Sequence, residues 1–327
     1  MSGSSEFGAR SNVARSVKVS VCMPTSRKAD VLARALDSVL TQDFQDFEVI
    51  IGDETGDAKP AVDARGDPRV RYYHNPHRLG FAANHVAILD RAQGRYVTVQ
   101  HDDDWWEPGY LSSLVAVLDA DPEIGLACCA TLLDHGGRQE LWPFPLRPGR
   151  HEHVLGDLLR EEWFLLLNAT MWRREVWAGP ARQWPDLCCG DLQLFLSAAD
   201  ADWPLFYLPE PLAHWVQHAE QSGAWRGSDH GLGVADDVLA FWDRWLEGRP
   251  QSQVELTGRQ RARWHLRRAR ALLLAGRPAE AREAINDASR ATGSDLPGLW
   301  RLKLASRLPP LAVRGAIGTK RLLTSRR

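Results

Sequence analysis

The run Gly94-Arg95-Tyr96-Val97-Thr98-Val99-Gln100 leads directly into His101-Asp102-Asp103-Asp104, and no other stretch constrains the fold as strongly. A β-branched run behind a glycine break reads as a buried parallel strand. Open α/β sheets place their ligands at the C-terminal ends of such strands. Three adjacent carboxylates repel one another unless a cation neutralises them. Oxygen-only donors suit a hard ion, Mg2+ or Mn2+, of the kind that also takes substrate phosphates. A solvated acidic turn capping the helix that follows Pro108 is the bland alternative.

The surrounding residues predict the layers that would hold this motif. Residues 17–23 alternate and stop at Pro24-Thr25, which reads as a strand and then a loop. Val31, Leu32, Ala35, Leu36, Val39 and Leu40 recur at helical spacing, with Asp30 in an early turn. A second strand covers 47–52 and ends at Asp53, a third covers 69–73, and a helix covers 81–92. Beyond the acidic run come a helix over 111–118 and a strand over 124–130. Residues 136–150, with Pro143, Pro145 and Pro148, read as a loop or irregular hairpin. A strand over 165–172, a helix over 191–199 and a short last strand over 205–208 complete the pattern. Strands alternating with helices at this spacing predict βαβ units around a mostly parallel sheet.

After Gly248-Arg249-Pro250 the strand signals stop, and two helices, over 261–275 and 279–290, are broken at Gly276-Arg277-Pro278. The expected organisation is a disordered leader over 1–15, an α/β domain over 16–250 and a basic helical domain over 251–327. From Gln251 onward 17 Lys plus Arg face 5 Asp plus Glu, although the whole chain carries only −2. Anionic lipid, nucleic acid or an acidic protein would complement that end, and the solvated faces of Arg-rich helices produce the same count. No stretch approaches about 18 uninterrupted apolar residues, so no membrane span is expected. The polar N-terminus lacks the apolar core of a secretory signal. Five cysteines, four of them in two adjacent pairs, suit neither a zinc site nor a disulfide framework, and read as buried thiols of a cytoplasmic protein.

The first ~130 residues carry neither a G-x-G-x-x-G fingerprint nor a P-loop. Phosphates must then be bound by something other than a glycine-rich cradle, and a metal held by carboxylates is the obvious substitute. Asp53, Arg78 and Asp102–Asp104 all fall at predicted strand ends, converging on one crevice suited to a nucleoside diphosphate and a bridging metal.

Taken in order, Val19-Ser20-Val21-Cys22-Met23-Pro24-Thr25, then Glu48-Val49-Ile50-Ile51-Gly52-Asp53, then Asn75 through Asn84, then Gly94-Arg95-Tyr96 into His101-Asp102-Asp103-Asp104 with Pro108 beyond, resemble a family 2 glycosyltransferase. These are inverting enzymes with the GT-A fold. The resemblance runs from about residue 17 to about 222 and is looser over 143–185. It implies that Pro24 and Thr25 line the nucleotide, and that Asp53 accepts from a pyrimidine N3–H, which favours uracil or thymine over guanine. Arg78 falls where a base- or phosphate-contacting Arg is often found. Asp103 matches the metal-ligating Asp of the D-x-D motif, with Asp102 beside it for the ribose or a metal-bound water. The chain departs from the pattern at His101, which stands where the first Asp is usual. A neutral imidazole supplies no anionic oxygen, leaving the metal to Asp103 and the diphosphate.

The segment Cys189-Gly190-Asp191-Leu192-Gln193-Leu194-Phe195-Leu196 resembles the one that carries the catalytic carboxylate at a helix start, which makes Asp191 the implied general base. An ordinary helix N-terminal residue is the competing reading. Trp215 through Ser222 resembles the post-catalytic segment, implying His218 as a metal ligand, with His214 a second candidate; the Arg common there is absent. Of the fourteen tryptophans, Trp105 and Trp106 directly follow the carboxylates; packing is the commoner use of such rings, stacking on a sugar the rarer one. Residues 277–288 weakly resemble half a tetratricopeptide repeat, which would serve dimerisation or acceptor-protein docking.

The expectation is therefore an α/β protein of the GT-A nucleotide-diphospho-sugar transferase fold with a small C-terminal helical domain. It would move a sugar from a UDP- or dTDP-sugar, with inversion and with Mn2+ or Mg2+, to a small-molecule, peptide, glycan or carrier-protein-bound acceptor. No nucleic acid partner is expected, and a homodimer or peripheral membrane contact is compatible with the composition. A nucleotidyltransferase would need a glycine-rich N-terminal loop, whereas residues 21–30 contain no glycine. A non-catalytic docking protein using the basic helices is the other alternative.

Overall fold

The structure, a computed structural model, describes residues 17–26, 29–161, 164–177, 189–217, 228–292 and 299–308. The expected leader over 1–15 and the candidate ligand His218 lie outside the described residues.

The period-two patterning of the strands produces one sheet with two buried faces. The first half of the chain supplies β1 (Val19–Thr25), α1 (Ala29–Leu40), β2 (Phe47–Asp53), α2 (Lys59–Asp63), β3 (Val70–His74), α3 (Phe81–Leu89), β4 (Tyr96–Val99), β5 (Trp105–Trp106), α4 (Tyr110–Ala120) and β6 (Leu126–Asp134). It continues with β7 (Gln139–Leu141), β8 (Gly149–His151), α5 (Leu155–Arg160), a 3-10 turn (Leu167–Ala169), β9 (Thr170–Arg173), α6 (Arg174–Trp177), α7 (Gly190–Asp200) and β10 (Leu205–Val216). Val19, Val21, Met23, Val49, Ile51 and Tyr96 face one way, against Leu32, Leu36 and Val39 of α1 and Leu111, Leu114 and Leu118 of α4. Cys22, Ile50, Val97 and Val99 face the other, against Ile88 of α3 and Leu192, Phe195 and Leu196 of α7. Because a strand alternates its side chains, one apolar run serves both helical layers.

The sheet order is β3-β2-β1-β4-β9-β6-β10-β5, with β7 on β6 and β8 on β10. The strands β3, β2, β1 and β4 are parallel neighbours. Into this frame β9 inserts antiparallel between β4 and β6, and β10 then runs parallel to β6. The sheet is thus mostly parallel and flanked by helices on both faces, as expected.

Three local expectations are corrected. First, β1 continues through Pro24 and Thr25, in register with Gly52 and Asp53 of β2, where a loop was expected. The proline is tolerated because its side of β1 faces β4 just past that pairing: Gln100 N–H donates to Cys22 O at 2.9 Å, and β4 then leaves the ladder. Second, the strand expected over 165–172 is a 3-10 turn followed by the four residues of β9. Third, β10 does not stop at Pro209. It runs twelve residues to Val216, absorbing Pro209 and Pro211 through register shifts between Leu208 and Ala213.

The remaining helices are α8 (Ser228–Leu246), α9 (Gln251–Leu256), α10 (Gly258–Leu274), α11 (Pro278–Thr292) and α12 (Leu299–Ala305). Val234, Val238, Phe241, Trp242 and Trp245 of α8 join the sheet core, as does Trp264 of α10. Residues of α10, α11 and α12 form a separate small core that Leu232 of α8 also touches. The buried Gln260 side chain donates to Leu158 O of α5 at 2.7 Å, so the helical end is seated on the α/β layers.

The turn into β4 is pinned by Ser20, whose hydroxyl accepts from Gly94 N–H at 2.8 Å. A Cβ at Gly94 would lie 2.5 Å from Ser20 N and 2.8 Å from Tyr96 O, both backbone atoms that cannot rotate away. Gly94→Ala is therefore expected to cost about 1–3 kcal/mol, the usual price of overpacking, read as a lowered urea midpoint. An unchanged midpoint would show that β1 and β4 can separate locally at no cost.

Candidate active site

Strand order sets the position of the site. From β1 the chain moves outward to β2 and β3, then returns to β4 on the other side of β1. The C-terminal ends of β1 and β4 therefore diverge, leaving the crevice where open α/β sheets bind ligands. Thr25 ends β1 there, and residues 101–104 follow β4. The two sides are tied by the Thr25 hydroxyl, which donates to Asp102 Oδ2 at 2.6 Å, with both residues buried.

The three carboxylates of this run have different surroundings. Asp104 is buried and turned into the protein: it accepts from Asn168 Nδ2 at 2.7 Å and from Val216 N–H at 2.9 Å, and His101 Nδ1 lies 3.4 Å away. Asp102 is buried against Thr25, and Asp103 is half-buried at the crevice. His101 does not behave as the neutral ring anticipated from sequence. Burial works against its charge, but the contact with Asp104 and the negative charges of Asp104, Asp103 and Asp191 prevail and raise its pKa to about 9. Its Nε2 is buried with no hydrogen-bond partner among the described residues, and neither amide atom of the buried Gln100 has one. Such orphaned polar atoms mark a place where a ligand or water completes the bonding.

Asp191 sits in the first turn of α7, where its Oδ1 accepts from Leu192 N–H at 3.0 Å. Burial pushes its carboxyl up to about 7, with the His101 charge and the Leu192 N–H pulling the other way. His101 and Asp191, ninety positions apart, lie near enough to act on each other's charge. A carboxyl poised near neutrality is suited to accept a proton.

Asp53, in register with Thr25 and His74, is fully buried. Its Oδ1 accepts from Thr55 N–H at 2.9 Å and from the Thr55 hydroxyl at 3.3 Å. Its Oδ2 accepts from Ala58 N–H at 2.9 Å and from the Tyr72 hydroxyl at 2.8 Å. Burial opposes its charge, but the Thr55, Tyr72 and Ala58 bonds outweigh it and hold the carboxyl below the usual range. A carboxylate offers about four acceptor positions, so an N3–H from a base would have to displace one of these donors.

Next to it, Glu54 was not singled out by sequence, yet it organises the loop that bears Arg78. It accepts from Asn75 Nδ2 at 2.8 Å, Leu79 N–H at 3.1 Å and Gly80 N–H at 3.0 Å. Asn84 donates to Gly52 O at 2.9 Å, an approach open only because residue 52 is glycine: a Cβ there would lie 2.5 Å from Asn84 Oδ1. Arg78 is exposed on this anchored loop. Asn168 was likewise missed; an isolated Asn in an apolar stretch carries no signal until Asp104 is seen beside it.

The tryptophans after the acidic run are packing residues. Trp105 is stacked on His214 with ring centroids 3.4 Å apart, and Arg34 covers it at 4.8 Å. Trp106 stacks on Tyr110 and donates to Asn168 O at 2.6 Å. His214, the second metal-ligand candidate, has Nε2 2.9 Å from Glu107 and Nδ1 3.5 Å from Gln139, so both ring nitrogens are engaged in structural contacts.

A divalent ion would find few protein donors here. Among the described residues no group of three His, Cys, Asp or Glu side chains is arranged to hold one. Asp104 is committed inward, to Asn168 and Val216. Asp103, a hard oxygen donor at the mouth of the crevice, fits an ion held jointly with the oxygens of a bound diphosphate.

Residues 20–165 match the family described as "Glycosyl transferase family 2". The putative colanic acid biosynthesis glycosyl transferase WcaA of Escherichia coli (strain K12) is 37% identical over 102 residues, which is 30% of this chain and 37% of that protein. The chain spans about a third of the length of the first curated relatives it matches. Among solved structures, S. aureus TarS 1–349 in complex with UDP-GlcNAc superposes with a TM-score of 0.63 at 15% identity, covering 88% of this chain and 87% of that one. The mannosyltransferase PcManGT from Pyrobaculum calidifontis, in complex with GDP-Man and Mn2+, gives 0.55 at 21% identity, covering 92% and 82%. At these identities the two structures establish a shared fold.

The Thr25–Asp102 bond closes the base of the crevice, and Thr25→Val removes its donor while keeping the shape. A hydrogen bond to a charged group contributes about 1.5–3 kcal/mol, so the valine variant is expected to lose that amount in urea unfolding at neutral pH. Thr25→Ser should retain most of it. Equal loss in both variants would mean that the methyl packing, not the bond, matters.

Proposed function

We propose that this chain, a member of glycosyl transferase family 2 with the GT-A fold, transfers a sugar from a UDP- or dTDP-sugar to a hydroxyl of an acceptor, with inversion at the anomeric carbon. The observation that carries the proposal is the carboxyl of Asp191 at the start of α7, raised toward neutrality and near enough to His101, after β4, for each to act on the other's charge.

In this reading the donor diphosphate lies across the ends of β1 and β4, along Thr25 and Asp102, with Arg78 reaching in from the loop held by Glu54. The buried Nε2–H of His101 donates to a donor oxygen, which answers its lack of a partner. Asp103, with the diphosphate, holds a Mn2+ or Mg2+ ion; when bound, that ion supplies Lewis-acid stabilisation of the leaving nucleoside diphosphate. His218 remains a candidate for the same ion. Asp191 receives the acceptor proton as the acceptor oxygen bonds to C1 from the face opposite the nucleotide, and the C1–O bond to the diphosphate breaks. Asp53 contacts the base by exchanging the Tyr72 hydroxyl bond for the pyrimidine N3–H. Support for a nucleotide-sugar donor comes from TarS and PcManGT, which are seen with UDP-GlcNAc and GDP-Man, and for a glycan product from the name of the E. coli relative.

The test is release of UDP or dTDP from a panel of nucleotide sugars with Mn2+ or Mg2+, since donor hydrolysis can proceed without the acceptor. No release from any donor, with no binding of UDP or dTDP by calorimetry, would end the reading. Asp191→Asn should lower turnover by about 10²–10⁴-fold, the range for loss of general base catalysis, while donor affinity stays within a few fold. Asp103→Ala should instead weaken metal-dependent donor binding.

The base works only when ionised. With the Asp191 carboxyl at about 7, kcat/KM should rise with pH below about 7 and level off above it. In the Asp191→Asn variant the residual rate should lack that acid limb. A wild-type profile flat from pH 5 to pH 8 would place the base elsewhere.

A further inference from the structure

The short helix α12 has two apolar faces, and among the described residues only one is packed. Leu299, Leu302 and Ala305 are buried against α10 and α11. At about 100° per residue, Trp300 and Leu304 lie straight across the helix from that stripe. They are 63% and 55% exposed, two of the four large apolar side chains on the described surface that are. The same geometry puts Arg301 on one flank of this pair and Lys303 on the other, both exposed, with exposed Arg307 one turn on. Arg301 stacks its guanidinium over the Trp300 ring at 5.2 Å.

From residue 296 onward the chain carries charge of one sign only. Residues 296–327 contain eight Lys plus Arg and no Asp or Glu. Arg268 pairs with Asp236 and Arg277 with Glu280, whereas the stretch from residue 296 holds no acid of its own.

We propose that the Trp300–Leu304 face docks on the surface of an anionic phospholipid bilayer, the indole and Leu304 entering the headgroup boundary and Arg301, Lys303 and Arg307 meeting the phosphates. A Trp and a Leu flanked by cations are the composition of an interfacial helix, and an excess of positive charge is drawn to anionic headgroups. No described helix is long and apolar enough to cross a membrane, so contact through α12 is peripheral. The chain's own residues 309–327 are a poorer occupant: they add five more cations, Arg314, Lys320, Arg321, Arg326 and Arg327, and no acid, and would meet the patch with like charge. This inference does not depend on the catalytic reading.

The experiment is co-sedimentation of the full chain with vesicles of phosphatidylcholine, with and without phosphatidylglycerol. Binding is expected to be about tenfold or more stronger with the anionic lipid and to weaken as salt rises. Trp300→Ser with Leu304→Ser should reduce it about tenfold, and Arg301→Gln with Lys303→Gln and Arg307→Gln should also flatten the salt dependence. All five residues are exposed, and an unchanged urea midpoint verifies folding. Equal binding to both vesicle types, or wild-type binding by the Ser variant, overturns the proposal. So does indifference of the full chain to anionic vesicles, which would assign the face to residues 309–327 or to a protein partner. UDP release without vesicles, measured on the same variants, should remain at the wild-type level.

Discussion

Asp104 is the constraint on which the rest of the site depends. Its two oxygens join pieces of chain from three regions: Asn168 before β9, Val216 at the end of β10, and the His101 ring after β4. A buried carboxylate is costly unless each oxygen is satisfied, so these partners must arrive together or the site does not close. Once they do, His101 is held charged between Asp104 and the crevice, and its charge acts in turn on Asp191. The residue that does no chemistry thus sets the electrostatics of those that would.

The same logic operates at the ends of β2 and β3. Asp53 and Glu54 are neighbours with separate tasks, Asp53 folding the turn into α2 and Glu54 drawing in the loop of Arg78. Both are satisfied from within, so the wall of the crevice is preformed.

Much of the sheet was legible because its signals are local. Alternation over 17–23 and 47–52, the helical spacing of Leu32 and Leu36, and the turn glycines each act within a few residues. The errors fell where a tertiary contact overrode a local signal. Pro209 and Pro211 read as a strand end, yet β6 holds β10 on both sides of them. Pro24 read as a loop because the early departure of β4, which leaves no carbonyl awaiting the N–H that proline lacks, was not visible in one dimension. Helix α8 was overlooked; Phe241, Trp242 and Trp245 show their purpose only against the sheet.

The sequence by itself determined which groups are present at the strand ends: a Thr closing β1, an acid closing β2, acids after β4, and a carboxylate opening α7. Those placements follow from hydrophobic period and turn chemistry, which are properties of short stretches. Tertiary structure alone decided how each group behaves. It turned Asp104 inward, filled the acceptor positions of Asp53, charged an imidazole taken for neutral, and raised Asp191 toward neutrality. Burial and the charge of neighbours distant in sequence govern ionisation, and neither exists until the strands are in order.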